Sequence, residues 1–466
     1  MTFSPFASLA ELSALLAAGK TTSREITAFY LDRIRRLNSG LHAFCDVYYE
    51  SALEEADIAD EERAAGRLRS PLHGLPIAVK DLFEIERQLT AAGSACWAGR
   101  RSTLTAPVVE KLRAAGMIIL GKTHMVEFAF GVWGTNPLLG APKNPWDLAT
   151  HRVPGGSSSG SGVAVAAGLA PAAMGSDTGG SVRIPASLNG ITGLKTTSGL
   201  ISIHGVIPLA ATLDTIGPLT RTIEDAALLT ALLAGEDPDD SKTKGAVIPD
   251  FSAVLKSGKD LSGITIAALP EADMPEITDA ETVAVWREAK VVLARLGARI
   301  VERALPFSVE HLTRSNVELT SAECYQNHGH LAEDPSSPMG DGVRARTLGG
   351  KAFQGEIYHA ALDAHEKAAL AFKNWIGQNE AVLTPSVPFP AIPLSEVNEK
   401  TPWMALFSRA GNFLRGASVS LPAGFSKSGL PIGIMLTSGP FREDLLIRLG
   451  RAWQQETDWH RKTPRL

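Results

Sequence analysis

The chain has 466 residues, with 45 basic and 50 acidic side chains, a formal net charge of −5, and 44% hydrophobic against 20% charged residues. That composition excludes a disordered, collagen-like or coiled-coil protein, and the charge balance gives neither a nucleic-acid-binding stripe nor a polybasic membrane segment. Three widely spaced cysteines, Cys45, Cys96 and Cys324, provide no disulfide framework and no CxxC metal knuckle, so a reduced, cytoplasmic setting is expected.

The N-terminal stretch MTFSPFASLAELSALLAAGK carries Glu11 inside its apolar run and lacks a basic lead and an A-x-A site. It reads as an amphipathic helix over 7–18 rather than a signal peptide. Thr22 with Glu25 three residues later has capping-box spacing and opens a second helix over 23–37; a third is expected over 51–66. Residues 1–70 thus read as a helical lead-in packed on the core of one large α/β domain, 71–466. No window approaches 18 uncharged apolar residues, so no membrane span is expected.

Residues 75–79 are a short apolar run ending at Lys80-Asp81. Residues 108–115 are helical in pattern, Gly116 is placed to cap that helix, and 117–120 form a buried-strand candidate. From 154 to 220 the chain is rich in Gly, Ser and small residues, with short strands alternating with helices, the pattern of an α/β core. Residues 235–262 are a polar connection, and strands at 263–269 and 298–302 flank a helix over 279–296.

Two motif matches fail on context. Gly116-Met-Ile-Ile-Leu-Gly121-Lys122-Thr123 fits GxxxxGK[ST], but its middle residues are apolar and β-prone, so they read as strand and leave no loop to cradle a phosphate. Gly156-Ser157-Ser158-Ser159-Gly160 fits GxSxG, but NPWDLATHRVPG before it is loop, not the strand a nucleophile elbow requires.

Three features remain: Lys80 at the end of an apolar strand, the Ser-rich loop 155–161, and the turn Asp177-Thr178-Gly179-Gly180-Ser181-Val182-Arg183. Two adjacent glycines let backbone amides converge beside a serine hydroxyl, as an oxyanion hole requires. A serine nucleophile needs a base, and a desolvated lysine can lose its charge and act as one, with a second serine relaying the proton.

The run GGSSSGSGVAVAAGLAPAAMGSDTGGSVRIPASLNGITGLKTT resembles the signature of the amidase signature family of serine hydrolases. GLPIAVKDLF, GKTHMVEFAFG, NPWD, LDTIGPLTRTIEDAALL, VLTPSVPFPA and SGLPIGIMLTSGPFREDLLI extend the resemblance along nearly the whole chain, most densely over about 71–233. It implies a mixed, twisted β-sheet covered by helices on both faces. It also implies a Ser–cis-Ser–Lys triad of Ser181, Ser157 and Lys80, with a cis peptide at Ser157; the two serines stand 24 positions apart (181 − 157), as in the family. The oxyanion hole then falls on the amides of Thr178, Gly179, Gly180 and Ser181, supported by Asp177 and Arg183. Ala129, Phe130 and Ser157 line the substrate pocket. Glu127, His124 and Asp214 read as structural.

The implied reaction is hydrolysis of a carbon–nitrogen amide bond through an acyl-enzyme, with no metal or organic cofactor. Phe128, Phe130, Trp133, Trp403, Met404, Phe407 and Phe413 lie in segments that vary across the family; they read either as core packing or as a pocket that favours a hydrophobic small-molecule amide: an anilide, aryl amide or carbamate. Two alternatives within the family are the glutamine-hydrolysing A subunit of glutamyl-tRNA amidotransferase and an allophanate- or biuret-type hydrolase. Gly131-Val132-Trp133-Gly134-Thr135 and the proline-free Gly416-Ala417-Ser418 depart from the usual pattern of that amidotransferase chain. The expected partner is a small-molecule amide or carbamate, with no nucleic acid and no membrane; a homodimer is left open.

Overall fold

The computed structural model describes residues 3–401 and 403–466. Eleven strands form one mixed sheet: β1 (Phe44–Val47), β2 (Pro76–Lys80), β3 (Ile118–Thr123), β4 (Ala172–Asp177), β5 (Thr192–Lys195), β6 (Thr215–Thr220), β7 (Thr265–Ala268), β8 (Arg299–Glu302), β9 (Glu380–Pro385), β10 (Ser418–Phe425) and β11 (Pro431–Ser438). Their spatial order is β1-β3-β2-β4-β6-β5-β10-β11-β9-β7-β8. Strands β3, β2 and β4 run parallel, as do β9, β7 and β8, and antiparallel pairs join these two blocks.

Successive side chains of a strand point to opposite faces. Every residue of β2, β3, β4, β6 and β11 is buried, so both faces of the central sheet are covered. One apolar cluster joins β2–β4 to the N-terminal helices, and a second joins β9–β11 to Ala280–Arg295 and Glu443–Glu456. The helix Ser159–Ala166 reads SGSGVAVA and is buried throughout, because glycine, alanine and serine let it approach the sheet closely.

The expected lead-in helices are Leu9–Ala17, Ser23–Leu41 and Tyr49–Ala64, and the first two carry complete capping boxes at Ser8/Glu11 and Thr22/Glu25. The lead-in is not wholly helical, however. Its residues Phe44–Val47 pair antiparallel with β3 and form the edge of the sheet. Gly121 and Lys122 of the apparent phosphate-loop motif lie inside β3, as their apolar context requires. No helix among the described residues is long and apolar enough to cross a membrane.

Candidate active site

Strands β2 and β4 are parallel neighbours, with Ala78 opposite Ala173 and Val79 opposite Met174, so their carboxyl ends reach the same edge of the sheet. Lys80 ends one strand and Ser176-Asp177 end the other. The Lys80 ammonium nitrogen reaches two hydroxyls, Ser157 Oγ at 2.8 Å and Ser176 Oγ at 2.9 Å. Complete burial disfavours the charged form and pulls the Lys80 pKa down to about 7, against the opposing pull of Asp214 and Asp177.

Burial alone does not single out this lysine. Lys195 is equally buried and also lowered to about 7, but its ammonium donates to the Thr196 carbonyl at 2.7 Å. Lys122 is buried as well and donates to the Phe83 carbonyl and the Thr90 hydroxyl. Of these three lysines, Lys80 alone meets the serine loop.

Within that loop the peptide bond Gly156–Ser157 is cis. The hydroxyls of the neighbouring serines are taken: Ser158 Oγ donates to the Ser176 carbonyl at 3.2 Å, and Ser161 Oγ pairs with Thr123 Oγ1 at 2.7 Å. Ser181 lies beside the loop, its carbonyl accepting from the Ser158 amide at 3.2 Å. Among the described residues no side-chain hydrogen bond, to Ser157 or to any other group, engages the Ser181 hydroxyl.

Asp177 and Arg183 hold the turn between them. The Arg183 fork donates from Nε to Asp177 Oδ2 at 3.0 Å and from Nη2 to Asp177 Oδ1 at 2.8 Å. Burial works against the Asp177 carboxylate, but Arg183 outweighs it and holds the pKa well below the usual range. The Gly180 amide donates to Asp177 Oδ1 at 2.8 Å, and the Val182 amide to Oδ2 at 3.0 Å. Gly180 is therefore a correction to the expected oxyanion hole: its N–H is already committed, and only the amides of Thr178, Gly179 and Ser181 are uncommitted among the described residues. Gly180 sits at φ +130°, and a Cβ there would come within 2.1 Å of Ser408 Oγ, so the turn needs glycine.

The segment 126–132, which contains Ala129 and Phe130, is tied to the cis peptide at both ends. The Val126 amide donates to the Ser157 carbonyl at 3.1 Å, and the Gly156 amide to the Val132 carbonyl at 2.8 Å. Phe128 and Ala129 both adopt positive φ, at 47° and 58°. Of the two readings of the aromatic residues, core packing or a hydrophobic substrate pocket, packing accounts for most of them. Phe128 stacks on His328 at 4.2 Å and meets the edge of Trp97 at 4.9 Å. Trp133 packs against Phe389 in a cluster that includes Met404, and Phe407 and Phe413 are core residues.

Glu127 accepts from Ser94 Oγ at 2.6 Å and from the Gly340 amide at 2.9 Å, tying two loops together. One residue at the base escaped the sequence reading of the site: Ser176 is the second partner of Lys80, and its position on the neighbouring parallel strand was the available signal. Asp214 does brace a loop, but it also lies close enough to act on the charge of Lys80. It accepts the Thr178 hydroxyl and the Leu209 and Ala210 amides, and burial pushes its carboxyl up to about 6. Among the described residues no group of three or more His, Cys, Asp or Glu is placed to hold a metal ion.

The family model for amidases matches residues 25–447. The A subunit of the glutamyl-tRNA(Gln) amidotransferase of Chromohalobacter salexigens is 38% identical, over 98% of this chain and 98% of that protein. Among solved structures, the peptide amidase of Stenotrophomonas maltophilia superposes with a TM-score of 0.86 at 30% identity, covering 98% of each chain. The corresponding amidotransferase chain of Thermotoga maritima superposes with a TM-score of 0.79 at 29% identity, covering 94% of this chain and 92% of that one.

Proposed function

The chain belongs to the amidase family and is a hydrolase of amide carbon–nitrogen bonds, and we propose that it works through an acyl-enzyme on Ser181. Neutral Lys80 takes the proton of the Ser157 hydroxyl while Ser157 takes that of Ser181, and Ser181 Oγ bonds to the amide carbonyl carbon. The carbonyl oxygen becomes an oxyanion facing the amides of Thr178, Gly179 and Ser181; one such donor contributes about 2.7–4 kcal/mol to the transition state. The C–N bond then breaks, and the proton on Lys80 returns through Ser157 to the departing nitrogen. Water attacks the ester by the same relay, releasing the carboxylic acid and restoring Ser181.

The observation that carries this reading is the 2.8 Å contact between the buried Lys80 nitrogen and Ser157 Oγ. An amine has one lone pair, so of its two hydroxyl neighbours one receives an N–H and the other can give up its proton.

For the substrate, the relatives favour the primary amide of glutamine, with ammonia leaving, because two glutamyl-tRNA(Gln) amidotransferase chains match over nearly their full length at 37–38% identity. On this reading the chain works with a partner protein. A second reading, a free-standing hydrolase of small-molecule amides or carbamates, draws support from the likeness to a peptide amidase. Incubation with L-glutamine, p-nitroacetanilide and a p-nitrophenyl carbamate separates them. Ammonia release from glutamine, stimulated by a partner protein, supports the first; nitroaniline or nitrophenol release by the isolated chain supports the second. Labelling by a fluorophosphonate that persists in Ser181→Ala would overturn the nucleophile.

A further inference from the structure

Two buried guanidiniums lie against the turn that carries Ser181, and they differ in one respect. Arg183 is fully engaged, with its Nε/Nη2 fork on Asp177 and further bonds to the Ser408 carbonyl and Asn412 Oδ1 at 2.6 Å each. Arg409 is only 7% exposed and makes a single hydrogen bond, from Nη1 to Asn316 Oδ1 at 2.5 Å. Its Nε is buried without a partner, Nη2 has none among the described residues, and its guanidinium enters no ion pair there. Burial and a second cation, Arg346, lower the Arg409 pKa to about 10, against the opposing pull of Asp177.

Buried charges are ordinarily paired, since desolvation without a counter-charge is costly. An arginine left in this state, with no carboxylate in direct contact among the described residues, is a group able to receive an anion. Its position identifies which one. A Cβ built on Gly179 would lie 3.1 Å from Arg409 Nη1 and 3.2 Å from Asn316 Oδ1, so the guanidinium rests on the loop whose amides face the reacting carbonyl. Asn316 holds it there by also donating from Nδ2 to the Thr178 carbonyl at 3.2 Å. The free Nε/Nη2 edge is the same fork that Arg183 presents to Asp177, a geometry matched to the two oxygens of a carboxylate.

We propose that Arg409 is a specificity-determining residue that binds a carboxylate on the substrate, so that the preferred substrates are amides carrying a carboxylate elsewhere in the molecule. This rests on the acyl-enzyme reading of Ser181. It deepens that reading by assigning the substrate a negative charge and the chain a residue to receive it.

The test compares monoamides of dicarboxylic acids (malonamate, succinamate, glutaramate) with their neutral counterparts (propionamide, butyramide, pentanamide), in wild type, Arg409→Met and Arg409→Lys. Binding of malonate, succinate and glutarate is followed in parallel by thermal shift. In the wild type, at least one carboxylate-bearing amide is expected to be preferred over its neutral partner, and the matching diacid to raise the melting temperature. Arg409→Met should lower kcat/KM for that amide about 10- to 100-fold, abolish the diacid shift and lower neutral-amide turnover far less. Arg409→Lys, which keeps the charge and loses the fork, should fall between. Because Arg409→Met removes a buried charge that enters no ion pair among the described residues, its own melting temperature should hold or rise, which a structural arginine would not show. Equal loss on both substrate sets, or no preference and no diacid shift in the wild type, overturns the proposal. Absence of both turnover and fluorophosphonate labelling at Ser181 would instead fell the acyl-enzyme reading, and the proposal with it.

Discussion

The hydroxyl of Thr178 donates to the carboxylate of Asp214, and of the two carboxylates that oppose burial at Lys80, Asp214 acts more strongly than Asp177. One residue thus braces the loop beside Ser181 and adjusts the charge state of Lys80. Asp214→Asn keeps an acceptor for Thr178 and removes the charge. Without it the Lys80 ammonium is less stabilised, its pKa falls below about 7, and the neutral amine persists to lower pH. The acid limb of the kcat/KM profile should therefore move down by roughly one pH unit. A pH–rate profile above pH 6, where Asp214 is ionised in the wild type, measures this. An upward shift would contradict it.

Lys80→Met tests the base in two ways. Activity should fall about 10²- to 10⁴-fold, the usual contribution of a positioned general base. Stability should change with a defined sign. The folded pKa of about 7 lies below the ordinary 10.5, so between those values the unfolded chain binds the extra proton and wild-type stability rises with pH. The stability difference between Lys80→Met and wild type should then favour the variant most at or below pH 7 and decline toward pH 10.5. Denaturant titrations across that range provide the measurement; a difference independent of pH would show that Lys80 is not held neutral by burial.

Asp177 has the opposite linkage. Its carboxyl is held well below the usual 3.8 by Arg183 despite burial, so its contribution is present above pH 3.8 and is lost as pH falls below that value. Asp177→Ala leaves Arg183 buried and unpaired, and the amides of Gly180 and Val182 without their acceptor. A loss of about 3–5 kcal/mol in unfolding free energy at neutral pH is expected, together with loss of Ser181 labelling. The difference from wild type should narrow on acidification. A fully stable variant would show that the pair does not set the turn.

The candidate site is legible where it is local and repeated in composition: the strand ending at Lys80, the Ser-rich loop, and the double glycine before Ser181, which the fold brings together. The lead-in helices were equally clear, since Ser8/Glu11 and Thr22/Glu25 advertise their caps. The edge strand Phe44–Val47 was hidden because only four residues, partly exposed, carry it. The long helix Val309–Glu333 escaped because its buried face includes Thr313, Asn316, Thr320, Ser321 and Glu323, which breaks the apolar period. That same polarity places Asn316 against Arg409, so the part of the site least visible in the sequence comes from an element whose core-facing side chains are not hydrophobic. Gly180 was misassigned for a related reason: a sequence shows that an amide is available, but not that a carboxylate three residues earlier takes it.

Phe128 is the clearest case of a residue whose type suggested one role and whose surroundings give it another. Its ring lies between His328 and Trp97, only 1% exposed, and burial pulls His328 down to about 4, so the imidazole it stacks on is neutral at physiological pH. Truncating such a ring removes its transfer free energy and leaves a cavity, at a cost of about 3–5 kcal/mol for Phe→Ala in a core. Phe128→Ala should therefore lower the denaturation midpoint substantially. Alanine tolerates the positive φ of this position no worse than phenylalanine, so the backbone should not add a further penalty. If the ring serves packing alone, the ratio of kcat/KM between glutaramate and pentanamide should stay where the wild type has it, in contrast to Arg409→Met, which should change that ratio without loss of stability. A variant that keeps its stability and instead changes selectivity among alkyl and aryl amides would return Phe128 to the substrate pocket.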